Sequence, residues 1–169
     1  NIVAMRDFND DELMDFVELT KDNAITVRFI ELMPFDSHQI WKTGKFYGAD
    51  DIVADIKKQV DALKPIDGSR TEHHIFRVND YKGKVAVIPA YSRSLCGECN
   101  RIRITADGKL LNCLYSQDET NLRDAMRTGK TDMIIKEMIY GTMKKKFKDG
   151  WEAQKQGNDN RESMTQIGG

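Results

Sequence analysis

The chain has 169 residues, 40% of them hydrophobic, which is enough for the core of one domain of ordinary size. Its 26 basic and 27 acidic residues nearly balance, and a formal charge of −1 excludes bulk attraction to nucleic acid or an anionic membrane. No apolar stretch approaches the roughly 20 residues of a membrane span, and the first residues lack the pattern of a signal peptide. We therefore expect a cytoplasmic protein with neither membrane nor nucleic acid as a partner.

The first predicted elements are a helix and a strand. Asn9 is a candidate N-cap with Glu12 placed to reach back to it, which predicts a helix over about residues 10–21. The run from Ala24 to Met33 is β-branched and aromatic, as is typical of a strand buried on both faces. A helix followed by a buried strand is the order found in α/β barrels and doubly wound sheets.

The spacing of the apolar residues changes in the middle of the chain. Residues 35–48 show no period and predict a loop, whereas residues 51–63 carry apolar side chains on one helical face and predict a second helix. Alternation at residues 74–78, turn residues at 79–83 and a second strand-like run at 85–89 predict a β-hairpin.

A second hairpin is predicted from Arg101 to Tyr115, with its turn at Asp107-Gly108. If the loop has three residues with Gly108 left-handed, Thr105 pairs with Lys109 and Cys113 falls opposite Arg101. A two-residue loop would instead place Cys113 opposite Ile102, on the other face from the arginines. We favour the three-residue loop.

Two helices are predicted in the last third of the chain. Thr120 is a candidate cap for a short helix that ends at Gly129, and residues 132–147 carry a buried stripe. The members of that stripe are Ile134, Ile135, Met138 and Ile139. We interpret the lysines that follow, at positions 144–146 and 148, as the solvated end of this helix. Beyond Gly150 the sequence turns polar and predicts little order.

The chain contains three cysteines, Cys96, Cys99 and Cys113. An odd number, with two of them three positions apart, favours metal ligation over disulfides in a reducing compartment. Zinc would require a fourth ligand, and the histidines are His38, His73 and His74. A four-iron cluster would keep one iron without a protein ligand, a vacancy suited to a substrate atom. The number of cysteines does not separate these two metals.

Three arginines are candidate anion-binding residues. Arg101 and Arg103 are two positions apart on a strand, so both guanidinium groups leave the same face and can clamp a phosphate or a purine edge. Arg28 lies in an apolar strand, where a guanidinium group requires a partner. The simplest partner is Glu31.

Four segments resemble one known family. They are the strand Arg28–Pro34, the C-x2-C-x13-C pattern of the cysteines, the segment Cys99–Gly108, and the terminal Gly168-Gly169. Together they are similar to the C-terminal half of the GTP 3′,8-cyclase (MoaA) family of radical S-adenosylmethionine enzymes in molybdenum cofactor biosynthesis. The resemblance covers essentially the whole chain, and the cysteine spacing with its two arginines is highly specific.

The resemblance implies a reaction. In the family, a first 4Fe-4S cluster on an N-terminal C-x3-C-x2-C motif cleaves S-adenosylmethionine, and the resulting radical abstracts hydrogen from the ribose of GTP. The product, (8S)-3′,8-cyclo-7,8-dihydroguanosine 5′-triphosphate, feeds cyclic pyranopterin monophosphate. This chain contains no C-x3-C-x2-C motif and starts at Asn1 within structured sequence. We therefore expect a fragment of a longer protein that is inactive alone.

The resemblance also assigns roles to residues. It implies that the three cysteines ligate a second 4Fe-4S cluster and that residues 101–103 (Arg101, Ile102 and Arg103) bind GTP. It also implies that Arg28 faces the substrate cavity and that Met33 contacts S-adenosylmethionine. Gly168 and Gly169 are implied to reach into the active site. The implied partners are GTP, the N-terminal half of the same enzyme, cyclic pyranopterin monophosphate synthase and a second copy in a homodimer. The alternative is a zinc-stapled binding module for RNA or a phosphorylated partner.

The predicted fold class is α+β. We expect the terminal strand and helix units of an incomplete (β/α) TIM-like barrel over residues 1–46. A C-terminal cap of antiparallel hairpins and helices, carrying the cluster and GTP site, is expected over residues 47–150. Residues 151–169 are expected to form a flexible tail that ends in Gly-Gly.

Overall fold

The computed structural model describes residues 1–33, 43–60, 62–66, 73–92 and 96–155, apart from the side chain of Gln154. These residues form two compact units, and the second unit begins at Cys99. A mixed sheet with helices and a separate antiparallel sheet confirm the α+β prediction. The sequence predicted a domain boundary after residue 46, which differs from this division into compact units. The predicted separation of a barrel part from a cluster-binding part stays a prediction. Gly168 and Gly169 lie outside the described residues.

The first unit is built on a five-stranded mixed sheet. Its strands are β1 (Ile2–Ala4), β2 (Thr26–Glu31), β3 (Leu63–Pro65), β4 (His74–Val78) and β5 (Lys84–Ile88), and its helices are α1 (Leu13–Asp22) and α2 (Ala49–Gln59). The spatial order is β1-β2-β5-β4-β3. β1, β2 and β5 are parallel, whereas β4 and β3 add antiparallel pairs at the edge. Helical crossovers join the parallel strands, as parallel pairing requires.

The core of the first unit lies between one face of this sheet and the two helices. Val27 and Phe29 of β2 pair with Val85 and Val87 of β5, so their side chains share a face. This face packs against apolar residues of both helices: Leu13 and Val17 of α1, Ile52 and Ile56 of α2. Because β2 and β5 are parallel, their carboxyl ends lie at the same edge of the sheet.

The first predicted hairpin is confirmed as β4 and β5, but its place in the fold differs from the prediction. It was expected in an antiparallel cap, whereas β5 pairs in parallel with β2 in register Val27↔Val85. Three consecutive residues of β5, Val85, Ala86 and Val87, are buried, so both faces of this strand are covered, as is typical of a strand in a parallel sheet. Among the described residues no closed barrel is formed, and the barrel remains a proposal.

Two details near the N-terminus were predicted wrongly. α1 begins at Leu13, and Asn9 does not cap it, since its side chain accepts from the backbone N–H of Met5 (2.9 Å) and donates to the carbonyl of Val3 (3.0 Å). β2 is not fully buried on both faces: Val27, Phe29 and Glu31 are buried, and the residues between them are half-buried. A strand buried on one face only is the result.

The second unit combines a small sheet with three helices. Its strands β6 (Arg103–Ile104), β7 (Lys109–Leu111) and β8 (Thr120–Asn121) form an antiparallel sheet in that order. They are followed by α3 (Leu122–Arg127), α4 (Asp132–Lys144) and α5 (Gly150–Lys155). No helix among the described residues is long and apolar enough to cross a membrane.

Three predictions for this unit required correction. Thr120 does not cap α3: it lies in β8, and the side chain of Asn121 accepts from the backbone N–H of Asp124 instead. The predicted stripe on α4 is only half-buried, and the buried residue of that helix is Thr142. α5 occupies residues 150–155, where little order was expected.

A charged cluster centred on Asp55 joins α2 to Tyr47 and to Arg6. Asp55 accepts hydrogen bonds from Tyr47 (2.6 Å), Arg6 (3.1 Å) and Lys58 (2.7 Å), and the Arg6 guanidinium lies 3.8 Å from the centre of the Tyr47 ring. The hydrogen bond from Lys58, then those from Tyr47 and Arg6, lower the pKa of Asp55 from 3.8 to about 2, against an opposing effect of burial.

This depressed pKa predicts a pH-dependent contribution to stability. Because the folded state holds the proton less tightly than the unfolded state, the stabilisation by Asp55 is present above the unfolded pKa and lost as the pH falls toward 2. We expect Asp55→Asn to lower the free energy of unfolding by about 2 kcal/mol at pH 6 and by about 1 kcal/mol at pH 3. Urea titrations of both proteins at these two pH values measure the difference. An equal difference at both would contradict the prediction.

Candidate functional site: the hairpin, its cysteines and its arginines

The loop of the second hairpin has the predicted three residues. The backbone N–H of Thr105 donates to the carbonyl of Lys109 (2.9 Å), and that of Gly108 donates to the carbonyl of Thr105 (2.9 Å). Gly108 has φ +81°, the left-handed conformation that glycine adopts without strain. The hydroxyl of Thr105 closes the loop by donating to Asp107 (2.5 Å) and accepting from the Lys109 N–H (2.9 Å). The preferred loop type is therefore confirmed.

The register that follows from this loop decides which side chains share a face. Arg103 pairs with Leu111 and Ile104 with Leu110, as the three-residue loop requires. The ladder ends at this Arg103–Leu111 pair, so the expected position of Arg101 opposite Cys113 lies beyond it and stays a prediction. Arg103 and Leu111 share one face, and the side chain of Ile104 on the other face is 60% exposed.

Electrostatic effects on Arg103 show that these groups are close in space. Partial burial lowers the pKa of the Arg103 guanidinium, and the positive charge of Arg101 lowers it further. Cys113 and Cys99 act in the opposite direction and favour the charged form. The second unit thus gathers two thiols and two guanidinium groups, which is the set that the sequence predicted for this hairpin.

A fifth group was missed by the sequence analysis. The ammonium group of Lys146 lies 3.6 Å from Sγ of Cys99 and 3.0 Å from the carbonyl oxygen of Arg101. The prediction that this lysine belongs to a solvated helix end is therefore wrong. No spacing rule could have found it, because Lys146 lies just beyond α4, and only the packing of α4 on the small sheet brings it to the cysteine.

Cys99 has the most strongly polarised environment of the cysteines. Burial acts to raise the pKa of its thiol, but hydrogen bonds from the backbone and side chain of Arg101 and the charge of Lys146 outweigh it, so the pKa is lowered. Since the thiolate is the form that binds metal, this environment suits a ligand.

The third cysteine lies in the first unit. Cys96 is half-buried in a short 3-10 turn, Cys96–Glu98, that ends immediately before Cys99. None of the three cysteines forms a disulfide in the described part of the chain. Within the described part of the chain, no three side chains of His, Cys, Asp or Glu are grouped closely enough to hold a metal ion. The donor chemistry fits a thiolate-ligated group, while the assembled site stays a prediction.

The other predicted site residues lie in the first unit. Arg28 is half-buried on β2, where it pairs with Ala86, and Met33 follows the end of the same strand. The expected ion pair between Arg28 and Glu31 is not formed. Among the residues that the structure describes, Arg28 forms no salt bridge, and its predicted role stays a prediction.

Glu31 has a different role, which the sequence analysis missed. Its side chain is 1% exposed and accepts from three backbone N–H groups: Ala49 (2.7 Å), Tyr91 (2.8 Å) and Ser92 (2.7 Å). The carboxylate therefore joins the end of β2, the first residue of α2 and the turn after β5. A carboxylate inside an apolar strand was the signal, and we assigned it to the wrong partner.

Comparisons with known proteins agree with these features. The family model Molybdenum Cofactor Synthesis C matches residues 25–151. The chain is 41% identical over 169 residues to the GTP 3′,8-cyclase of Chlorobaculum tepidum, covering 100% of this chain and 51% of that protein. It is 39% identical over 176 residues to the GTP 3′,8-cyclase of Syntrophomonas wolfei, covering 100% and 52%. For the mitochondrial GTP 3′,8-cyclase of Arabidopsis thaliana the identity is 38% over 147 residues, covering 86% and 37%.

The chain spans about half the length of the curated relatives it matches. The family match includes all three cysteines and the arginines of the second hairpin. The resemblance to the GTP 3′,8-cyclase family is confirmed by these identities, and the chain belongs to the Molybdenum Cofactor Synthesis C family.

Proposed function

We propose that this chain is the C-terminal part of a radical S-adenosylmethionine GTP 3′,8-cyclase, and that it binds the second 4Fe-4S cluster and GTP. The whole enzyme would convert GTP to (8S)-3′,8-cyclo-7,8-dihydroguanosine 5′-triphosphate in molybdenum cofactor biosynthesis. The observation that carries the proposal is the register of the second hairpin. It pairs Arg103 with Leu111, two residues before Cys113, and the charges of Arg101, Cys113 and Cys99 all act on the Arg103 guanidinium.

The proposed cluster ligands are Cys96, Cys99 and Cys113. Three thiolates suit a four-iron cluster, which when bound leaves one iron free for an atom of the substrate. Two of the three lie among cationic groups, and positive charge beside a thiolate-ligated cluster offsets the negative charge of its ligands. No disulfide competes for these thiols.

The arginines are the proposed GTP ligands. Arg101 is exposed and Arg103 half-buried on the same face, so both can donate paired N–H groups to phosphate oxygens or to the acceptor edge of a guanine. Ile102, between them in sequence, is 43% exposed and would offer an apolar contact. The two arginines bind and orient the substrate and carry no proton transfer, because guanidinium groups stay protonated.

The rest of the proposed active site involves the first unit and the tail. Arg28, in the middle of β2, would face the substrate cavity. Met33, just beyond the carboxyl end of β2, would contact S-adenosylmethionine, and barrel enzymes place their sites at this end of their strands. Gly168 and Gly169 would complete the site, and the first cluster would come from the N-terminal half of the enzyme. The proposed assembly is a homodimer, and cyclic pyranopterin monophosphate synthase would use the product.

GTP binding by arginine variants tests this proposal. In the chain reconstituted with iron and sulfide without oxygen, we expect Arg101→Ala and Arg103→Ala each to weaken GTP binding by about 10- to 100-fold. The matched control is Arg127→Ala, an exposed arginine at the end of α3, which should leave the affinity unchanged. Equilibrium dialysis with labelled GTP measures all four proteins. Equal affinity in every one would sink the proposal, and binding of RNA in place of GTP would favour the zinc-stapled module.

A further inference from the structure

Lys146 is held in place by contacts at both ends of its side chain. Its backbone N–H donates to the carbonyl of Met143 (3.1 Å), which holds Lys146 against the end of α4. Its ammonium group lies 3.0 Å from the carbonyl oxygen of Arg101 and 3.6 Å from Sγ of Cys99. A long, flexible side chain with two defined acceptors has a restricted position.

The end of α4 is itself fixed to the small sheet and to Asn112, the residue before Cys113. Thr142 is 4% exposed, its hydroxyl is 2.6 Å from that of Thr120 in β8, and its carbonyl accepts from the side chain of Asn112 (3.1 Å). Asn112 is 1% exposed and immediately precedes Cys113. The placement of the Lys146 ammonium group is therefore tied to the residue next to one proposed ligand and to the sulfur of another.

The charge of Lys146 is not directed toward a carboxylate. Its neighbour Lys145 is 71% exposed and pairs weakly with Asp118 at 3.9 Å. Within the described residues Lys146 forms no salt bridge, and its acceptors are the sulfur and the carbonyl. Because the ammonium group lies beside Sγ of Cys99, its positive charge would also interact with a metal or cluster bound to that sulfur.

We propose that Lys146 is a positioning residue of the cluster site, whose ammonium group donates a hydrogen bond to the ligating sulfur of Cys99 and stabilises the reduced form of the bound cluster. This inference rests on the proposed function. Reduction adds negative charge to a cluster, so a hydrogen bond or a positive charge at a ligand sulfur raises its reduction potential. Lys146 also fixes the carbonyl of Arg101, and so the segment that begins the GTP-binding face.

The test is a redox titration of the reconstituted chain, followed by electron paramagnetic resonance, with iron per chain measured on the same samples. The variants are Lys146→Met, which keeps the length and removes the charge, Lys146→Arg, which keeps the charge, and the control Lys145→Met. We expect Lys146→Met to shift the midpoint potential to a lower value. Lys146→Arg and Lys145→Met should remain near the wild-type potential, with equal iron in all proteins.

An unchanged potential in Lys146→Met with full iron would overturn the inference and leave the proposed function intact. If Lys146→Met loses iron, retention of the cluster by Lys146→Arg supports the inference, and its loss from both variants overturns it. A wild-type chain that takes up no cluster would overturn the proposed function, and the inference with it.

Discussion

Replacing Glu31 by alanine is expected to lower the free energy of unfolding by about 3–5 kcal/mol. The carboxylate is 1% exposed and accepts three short hydrogen bonds from backbone N–H groups. Without it, the N–H of Ala49 and those of Tyr91 and Ser92 lose their partner inside the protein. One of them begins α2, where a negative charge also interacts favourably with the helix dipole. Urea unfolding followed by circular dichroism measures the change.

Two further variants make this prediction specific. Glu31→Gln keeps the shape but presents an NH2 group to one of the donors, so we expect about half of the loss. Glu12→Ala removes an exposed carboxylate that forms no cap hydrogen bond with α1, and it should change stability by less than about 0.5 kcal/mol. Similar losses for Glu12→Ala and Glu31→Ala would mean that the three hydrogen bonds contribute little.

Replacing Gly108 by alanine is expected to cost about 2–4 kcal/mol, because two effects combine. The residue has φ +81°, and a Cβ there would lie 2.6 Å from Cβ of Arg123. The carbonyl of Gly108 also accepts from the backbone N–H groups of Leu122 (3.2 Å) and Arg123 (3.0 Å), which ties α3 to the loop. Any movement that relieves the clash disturbs the loop that sets the register of Arg103 with Leu111.

Gly129 provides the matched control for this loop. It has φ +72°, and an added Cβ would meet no atom within 4 Å, so Gly129→Ala should cost only the conformational strain, about 1 kcal/mol. Urea unfolding of both variants separates strain from collision. Equal losses would show that the contact with Arg123 relaxes freely, and GTP binding should then be normal in Gly108→Ala.

Local signals predicted much of this fold. The apolar face of α2, the alternation in β4 and the loop at Ala106–Gly108 are each set by neighbouring residues, and all three elements are present. The predicted end of the second helix at residue 63 is wrong, because α2 ends at Gln59 and Leu63 begins β3. Pairings between strands far apart in the sequence were harder to predict. β1 has only three residues, too few for a pattern, and the parallel pairing of β5 with β2 depends on residues nearly sixty positions apart in sequence.

The candidate site likewise combines residues that local sequence predicted with residues whose contacts depend on distant parts of the chain. Cys99, Arg101, Arg103 and Cys113 could be proposed from the sequence because they lie on or just before one hairpin, whose register follows from a single turn. Lys146 was missed because its contact depends on how the end of α4 packs on β7 and β8. Glu31 was noticed but misassigned, because a sequence shows a buried carboxylate without showing that its partners are backbone N–H groups.

The most direct measurement of the central claim is the iron and acid-labile sulfide content of the chain after reconstitution without oxygen. The proposed second cluster predicts about four iron and four sulfide atoms per chain, lost in Cys113→Ser. The same protein should be brown and sensitive to oxygen. One zinc ion per chain with no sulfide would contradict the claim, because the three cysteines would then staple the fold instead of presenting an open iron to GTP.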